Sequence, residues 1–365
     1  MPFLLRIIAP CAVALFACQA RSAELAGVDF SLDGFGTLGV VHSDYDQADF
    51  ITSNPFYLKG VGYTRSWGTD QDSKLGVQLT ATFGDRLTAV VQGISRLRYD
   101  NTFTPELEWA NLKFNATPEL SIRVGRVVLP TFLSSDTENV GYVRSWVRTP
   151  AEIRVQLPIT SSDGVDATYR FDIGETSHQL QVLFGNTRTE LPLGEIWRNE
   201  HIKAATDTIE YGRLTLHLGY QKMRYRLTSA PATYDFTAFD IGATYDAEGW
   251  YVTAEQFSTY DEGVGNVRAA SLGGGYRVSS VTPYLVWSKI KQFSVGDFEM
   301  APVFDQQTVA AGVRWDFFRN VDLKLQYERI TIDSDIIPTS FINLQPGLQV
   351  GDRANVFSAT LDFVW

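Results

Sequence analysis

Sixteen stretches of this 365-residue chain alternate apolar and polar residues with a period of two, and the connections between them alternate in length. A period of two marks a strand with one oily face and one wet face. The stretches cover residues 28–41, 73–83, 87–98, 107–115, 120–128, 164–171, 177–185 and 204–210, then 214–226, 234–245, 250–258, 267–277, 282–289, 306–317, 321–332 and 353–365. In one, Leu75, Val77, Leu79, Ala81 and Phe83 alternate with Lys74, Gln78, Thr80 and Thr82. In another, Val321, Leu323, Leu325 and Tyr327 stand against Asp322, Lys324, Gln326 and Glu328. One set of connections is tight and built of turn residues, such as Gly84-Asp85-Arg86, Ala247-Glu248-Gly249 and Arg319-Asn320. The other set is longer and polar, over 42–72, 129–163, 186–203, 290–305 and 333–352.

An even number of strands, with short turns on one side and long loops on the other, is what a membrane-spanning β-barrel requires. A two-sheet sandwich has no reason to sort its loops by length. Charges as long as Lys324 and Glu328 cannot sit unpaired in a dry interior. Their face therefore meets water, either around a soluble protein or within a lumen, and sixteen strands enclose a lumen wide enough for water. Phe83, Phe171, Tyr211, Tyr245, Trp250, Tyr276, Trp315, Phe317 and Phe318 all fall beside the short turns, where an interfacial girdle would lie. No stretch after residue 23 approaches the 18 apolar residues of a membrane-spanning helix. The expected fold is all-β: a transmembrane antiparallel β-barrel of about sixteen strands forming one domain over 24–365. Its final strand, with Phe357, Ala359, Leu361, Phe363 and Trp365 on one face, is expected to close against the first.

The beginning of the chain reads as an export signal. Arg6 supplies a positive charge, residues 7–17 are apolar, and Cys18-Gln19-Ala20 offers small residues for cleavage, which is expected after a residue between 20 and 23. Leu15-Phe16-Ala17-Cys18 has the outline of a lipoprotein box, but Phe16 is bulky for it. Cys11 and Cys18 both lie in this segment, so a processed chain would have no thiol chemistry. Loss of Arg6 would take the formal charge from −11 to −12. So acidic a chain is a poor partner for nucleic acid.

Three segments resemble the Gram-negative general porin family: Gly34-Phe35-Gly36-Thr37-Leu38-Gly39, then Leu120-Ser121-Ile122-Arg123-Val124-Gly125-Arg126 with Leu129-Pro130, and finally Leu361-Asp362-Phe363-Val364-Trp365. The family usually ends in Phe, and Trp365 departs from that. The resemblance implies a homotrimer of sixteen-stranded barrels in outer-membrane lipid, with short periplasmic turns, long extracellular loops and no cofactor. It implies passive diffusion of small hydrophilic solutes and ions. It also implies that the third long loop, 129–163 here, folds inward and narrows the pore.

The candidate lining residues follow from strand parity and from that loop. Arg96, Arg98, Lys113 and Arg123 have inward parity on consecutive strands, and Arg170 and Arg314 join them. Asp136 and Glu138 would face this basic wall across water, creating a transverse field. Within the loop, Asp136, Glu138 and Glu152 balance Arg144, Arg148 and Arg154, so net charge does not decide the ion preference. Tyr142 and Trp146 would either contribute to the aromatic slide of a solute-specific channel or anchor the loop to the wall. Arg126 has outward parity, so it must lie near a rim or follow a bulge.

Other chemistry finds little support. Gly34-Phe35-Gly36-Thr37-Leu38-Gly39 spells G-x-G-x-x-G, but Val40 and Val41 continue a strand where a dinucleotide site needs a helix. His42, His178, His201 and His217 are scattered, with no metal-ligand spacing. His217 has inward parity and reads as a pore-lining residue. The chain is expected not to be an enzyme. The alternatives are a solute-selective channel on the same barrel, a barrel enzyme, or a secreted β-sandwich protein.

Overall fold

The computed structural model describes the chain apart from residues 1–20, 26, 53–56, 231, 299–302 and 335–338. The export segment expected over 1–20 lies outside the described residues. Among the described residues, sixteen antiparallel strands close a ring. They are β1 (Val28–Ser43), β2 (Lys74–Phe83), β3 (Leu87–Arg96), β4 (Glu106–Asn115), β5 (Leu120–Val128), β6 (Ser161–Ile173), β7 (Thr176–Glu190) and β8 (Ile196–Tyr211). The ring continues with β9 (Leu214–Leu227), β10 (Tyr234–Asp246), β11 (Trp250–Asp261), β12 (Gly265–Tyr276), β13 (Val281–Gln292), β14 (Asp305–Phe318), β15 (Val321–Ile332) and β16 (Asp352–Val364). Each strand pairs with its sequence neighbours, and β16 returns to β1 from Phe35↔Val364 to Ser43↔Val356. Closure leaves no free edge, which is why strands can span lipid at all.

The seam between β1 and β16 explains its glycines. Gly34 N–H donates to the Trp365 carbonyl at 3.1 Å, and Trp365 N–H donates back at 3.0 Å. A Cβ on Gly34 would meet the Trp365 ring at 2.0 Å, and one on Gly36 would meet the Phe363 ring at 2.4 Å. The two aromatic rings therefore lie flat where β1 has no side chains. Two short strands, Arg21–Leu25 and Trp67–Gly68, extend the pairing of β1. The first was not anticipated from the sequence.

The alternation sorts as a membrane barrel requires. Leu112, Val124, Ile241 and Leu285 point outward and are 53%, 57%, 56% and 64% exposed. So continuous an apolar exterior is untenable in water. The aromatics near the short turns form a girdle, with Tyr211, Tyr245, Trp250, Tyr276 and Trp315 all exposed. A two-sheet sandwich, in which those oily groups would meet each other, is excluded.

Two boundaries differ from the sequence expectation. The segment 186–203, read as a long loop, is mostly strand: β7 runs to Glu190 and β8 starts at Ile196. Its outward residues Arg188, Arg198 and Lys203 hide the period-2 signal because their face is not apolar. A bulge between Glu200 and Lys203 also breaks the phase. Similarly, β6 begins at Ser161, so the third outer loop covers residues 129–160.

Candidate functional site

The third outer loop leaves β5 at residue 129 and returns at residue 160, where Leu129 N–H donates to the Thr160 carbonyl at 2.9 Å. Between these points it folds into the barrel as two 3-10 turns, Ser135–Thr137 and Gly141–Val143, and a one-turn helix, Ala151–Arg154. Pro150 is the cap residue, and its carbonyl accepts from the Ile153 and Arg154 N–H groups at 3.1 and 3.3 Å. So few internal hydrogen bonds cannot hold the loop in place. Its position comes from the walls.

One wall is dry. Leu129, Phe132, Ile153, Val155, Leu157 and Ile159 pack on Leu183, Ile202, Met223, Phe236, Phe257, Val267 and Ile290, the inward residues of β7–β13 near the long loops. The rings of Phe132 and Phe257 lie 4.7 Å apart. Each buried side chain of this kind contributes about 1.5–3 kcal/mol, so this face supplies most of the adhesion. The Glu152 carboxylate, 1% exposed, closes the contact. It accepts hydrogen bonds from Ser288 and Gln306 at 2.8 Å and from Thr308 at 2.5 Å. It therefore faces the wall and not the lumen.

The opposite side of the loop is tied by charge. The Arg148 guanidinium reaches Asp72 at 2.6 Å, Ser358 at 2.6 Å and Glu328. Arg314 donates to the carbonyls of Tyr142 and Arg144 at 2.6 and 3.1 Å, and its guanidinium lies 4.8 Å from the centre of the Tyr142 ring. Lys324, fully buried, bridges the Gly141 carbonyl at 2.7 Å and Asp362 at 2.9 Å. Gly141 must be glycine, because a Cβ there would sit 1.9 Å from an Asp362 oxygen. Trp146 packs against Tyr284, Val286 and Ala310. Tyr142 and Trp146 thus serve as anchors.

Between the loop and β1–β3 lies a cleft roofed by Thr52, Tyr57 and Gln71 from the first outer loop. Its charged lining is Lys74, Arg96, Arg144, Arg148 and Arg154 against Asp72 and Glu138. Most of these are paired. Arg154 meets Glu138 at 3.4 Å, Arg96 meets Glu108 at 3.3 Å and Asn139 at 2.9 Å, and Arg148 has two carboxylates. Arg144 donates to the Thr149 hydroxyl at 2.8 Å and to backbone carbonyls. Among the described residues, neither Arg144 nor Lys74 is in ion-pair contact with a carboxylate. With Arg148 shared by two carboxylates, the five cations face four carboxylates, and the cleft carries an excess of one positive charge in a chain whose formal charge is −11.

The other candidates fall into place around it. Arg98 lies just beyond β3 and pairs with Glu106 at 3.0 Å. Lys113, Arg123 and Arg170 point inward on β4–β6 toward the short turns, where Arg123 is matched by Asp166 at 2.5 Å and Arg170 bonds Gln179. Asp136 is exposed on the loop, within electrostatic reach of Arg123. Arg126 is outward at the rim, paired with Asp163 at 2.7 Å. His217 points inward but is 4% exposed, beneath the loop beside Asp240 at 3.8 Å, so it does not line open lumen. Lys74 was missed as a site residue, although its inward parity was plain from Leu75, Val77 and Leu79. The apolar inner patch was also missed.

A family model described as Gram-negative porin matches residues 9–335. No curated protein matches. Several solved structures do. The outer membrane channel DcaP of Acinetobacter baumannii is 14% identical with a TM-score of 0.62, covering 94% of this chain and 100% of that one. The anion-selective porin from Comamonas acidovorans is 13% identical with a TM-score of 0.60, covering 93% and 100%. Salmonella typhi OmpF, in complex with daunomycin, is 13% identical with a TM-score of 0.59, covering 94% and 100%. At these identities the likeness is one of fold.

Proposed function

The chain belongs to the Gram-negative porin family, and from that premise we propose that small hydrophilic solutes and ions cross the outer membrane through the cleft between the third outer loop and β1–β3. The porin channel and its outer-membrane location rest on the family and the fold. We assign the filter to Lys74, Arg96, Glu138 and Arg144 at the cleft, with Lys113, Arg123 and Arg170 opposite Asp136 nearer the periplasmic turns. Arg148, Glu152, Arg154 and Arg314 hold the loop at its distance from the wall.

The observation that carries the reading further is that Lys74 and Arg144 line the cleft with no carboxylate in ion-pair contact among the described residues. Fixed charges with low-dielectric walls concentrate counter-ions, so this channel favours anions over cations. Planar-bilayer recording in a KCl gradient tests it. Wild type should reverse on the anion side, and Lys74→Ala with Arg144→Ala should move the reversal potential toward the cation side. An unchanged potential in the double variant would remove the filter assignment.

We also assign the homotrimer to this chain. The outward faces of β1–β5 are apolar, with Leu38, Val40, Leu75, Val77, Leu79 and Leu112 exposed, and carry Arg126 only at the rim. A trimer should survive in an unheated SDS gel and dissociate on boiling; a single monomer band before heating counts against it.

A further inference from the structure

Most polar groups that line the cleft already have partners within the protein. Thr37 donates to Asp362, Thr52 to the Gln71 carbonyl, and Gln71 to the Lys59 carbonyl. Ser73 accepts from the Gly39 N–H and donates to the Thr69 carbonyl. Asn139 is held between Arg96 and Glu108, and Thr149 between Arg144 and Glu138. Groups so engaged cannot replace the water that a solute sheds on entering a passage.

Three lining groups are different. Among the described residues, the Lys74 ammonium, the Tyr57 hydroxyl and the Thr160 hydroxyl make no hydrogen bond or ion pair. Lys74 opens β2, Tyr57 belongs to the first outer loop, and Thr160 ends the third. Three separate segments thus bring their unused polar groups to one space. Packing holds Tyr57 there: it is 9% exposed and buried with Ile51 and Leu97, against Ile342 of the last outer loop. Leu97, Val147 and Pro158 supply the apolar part of the same lining. A few polar groups converging on an apolar background are the pattern of a ligand site.

We propose that Lys74, Tyr57 and Thr160 form a binding station for a small organic monocarboxylate that carries a hydroxyl group. The inference rests on the anion filter proposed above and names the solute class that filter serves. Charge sets the number of anionic groups: the single surplus positive charge of the cleft is cancelled by one carboxylate and overshot by two. Arg96, Arg148 and Arg154 do not compete for that carboxylate, since each has one of its own. Arg144 is turned to the Thr149 hydroxyl and to backbone carbonyls, so it contributes mainly field. The Lys74 ammonium is a compact charge with three donors, suited to a carboxylate oxygen. A hydroxyl both donates and accepts, whereas a halide only accepts and leaves part of the capacity of Tyr57 and Thr160 unused. A solute hydroxyl uses it. Contacts this few are weak enough to release the solute, as conduction requires.

The test is block of chloride current through the wild-type protein in planar bilayers, titrated with lactate and with propionate, which has the same charge and nearly the same size but lacks the hydroxyl. Lactate should reduce the current saturably, with half-block at a concentration at least about threefold below that of propionate. Tyr57→Phe and Thr160→Val should each raise the lactate value about threefold and narrow its gap to propionate, and Lys74→Met should remove block by both. Equal block by lactate and propionate in wild type would overturn the proposal. So would tighter block by the dianion malate, or an unchanged lactate value in the double variant Tyr57→Phe/Thr160→Val. A KCl gradient across the same membranes separates the station from the filter. Wild-type reversal on the anion side without preference for lactate would remove the station alone, and reversal on the cation side would remove both.

Discussion

The two inner walls of this barrel obey different rules. Near the extracellular loops, the inside of β7–β13 behaves like the core of a soluble protein, with Leu183, Met223, Phe236 and Phe257 covered by the third outer loop. The inside of β14–β16, with β1–β3, is charged and polar, and holds the same loop through Arg148, Arg314 and Lys324. The difference separates adhesion from aim. Apolar contact is strong but tolerant of small slides, because it has no direction. Buried ion pairs contribute little net stability but have strict geometry. The dry wall keeps the loop in, and the charged wall fixes how wide the cleft beside it stands.

The largest effect should come from attacking the dry wall. Phe132→Ala with Ile153→Ala removes two loop anchors, each worth ~2–5 kcal/mol, while leaving the strands untouched. The loop should detach, raising single-channel conductance with the barrel still resistant to unfolding in detergent. Unaltered conductance would mean that the charged wall alone seats the loop.

Next comes Arg148→Ala, which strands Asp72 and Glu328 in buried positions and should cost ~3–5 kcal/mol of stability. Replacing Arg148 and Glu328 together by Met should recover part of that loss in denaturant unfolding. If the double variant is no better than the single one, geometry rather than uncompensated charge was lost.

A smaller effect is expected from Asp136→Asn. It should leave stability within about 0.5 kcal/mol and shift reversal potential further to the anion side by removing the carboxylate that faces Arg123. A shift in the cation direction would contradict the transverse field.

The smallest effect concerns the roof of the wet side. Burial alone would raise the Asp70 carboxyl, but hydrogen bonds from Arg65 and Lys59 hold it below the ordinary carboxylate value. A depressed acid stabilises the fold above its unfolded pKa of about 3.9, and that contribution is lost as pH falls through the lower folded value. Limited proteolysis of the first outer loop should therefore accelerate only below about pH 4, and Asp70→Asn should abolish that dependence.

Much of the ring was legible in the sequence, because the period-2 pattern and turn residues are local signals. The strands missed at their ends, β7 and β8, are those whose outward residues turn basic there, so that Arg188, Arg198 and Lys203 mimic loop polarity. The site was half legible. Parity located Arg96 and loop length located Glu138 and Arg144. Parity could not tell that Leu183, Ile202 and Phe257 would be inward yet dry, because that depends on a segment far away in the chain. The same holds for Arg148, Arg154 and Arg314: sequence gives the charge, but only assembly shows whether a partner consumes it.

The third outer loop joins β5 to β6, yet Arg148 is moored to Glu328 and Ser358, 180 and 210 residues downstream. A mooring that distant cannot exist until the far side of the ring is built. The aperture is thus finished last, and a chain that failed to close would leave its gate swinging. Pore width becomes a built-in certificate that the circle is complete.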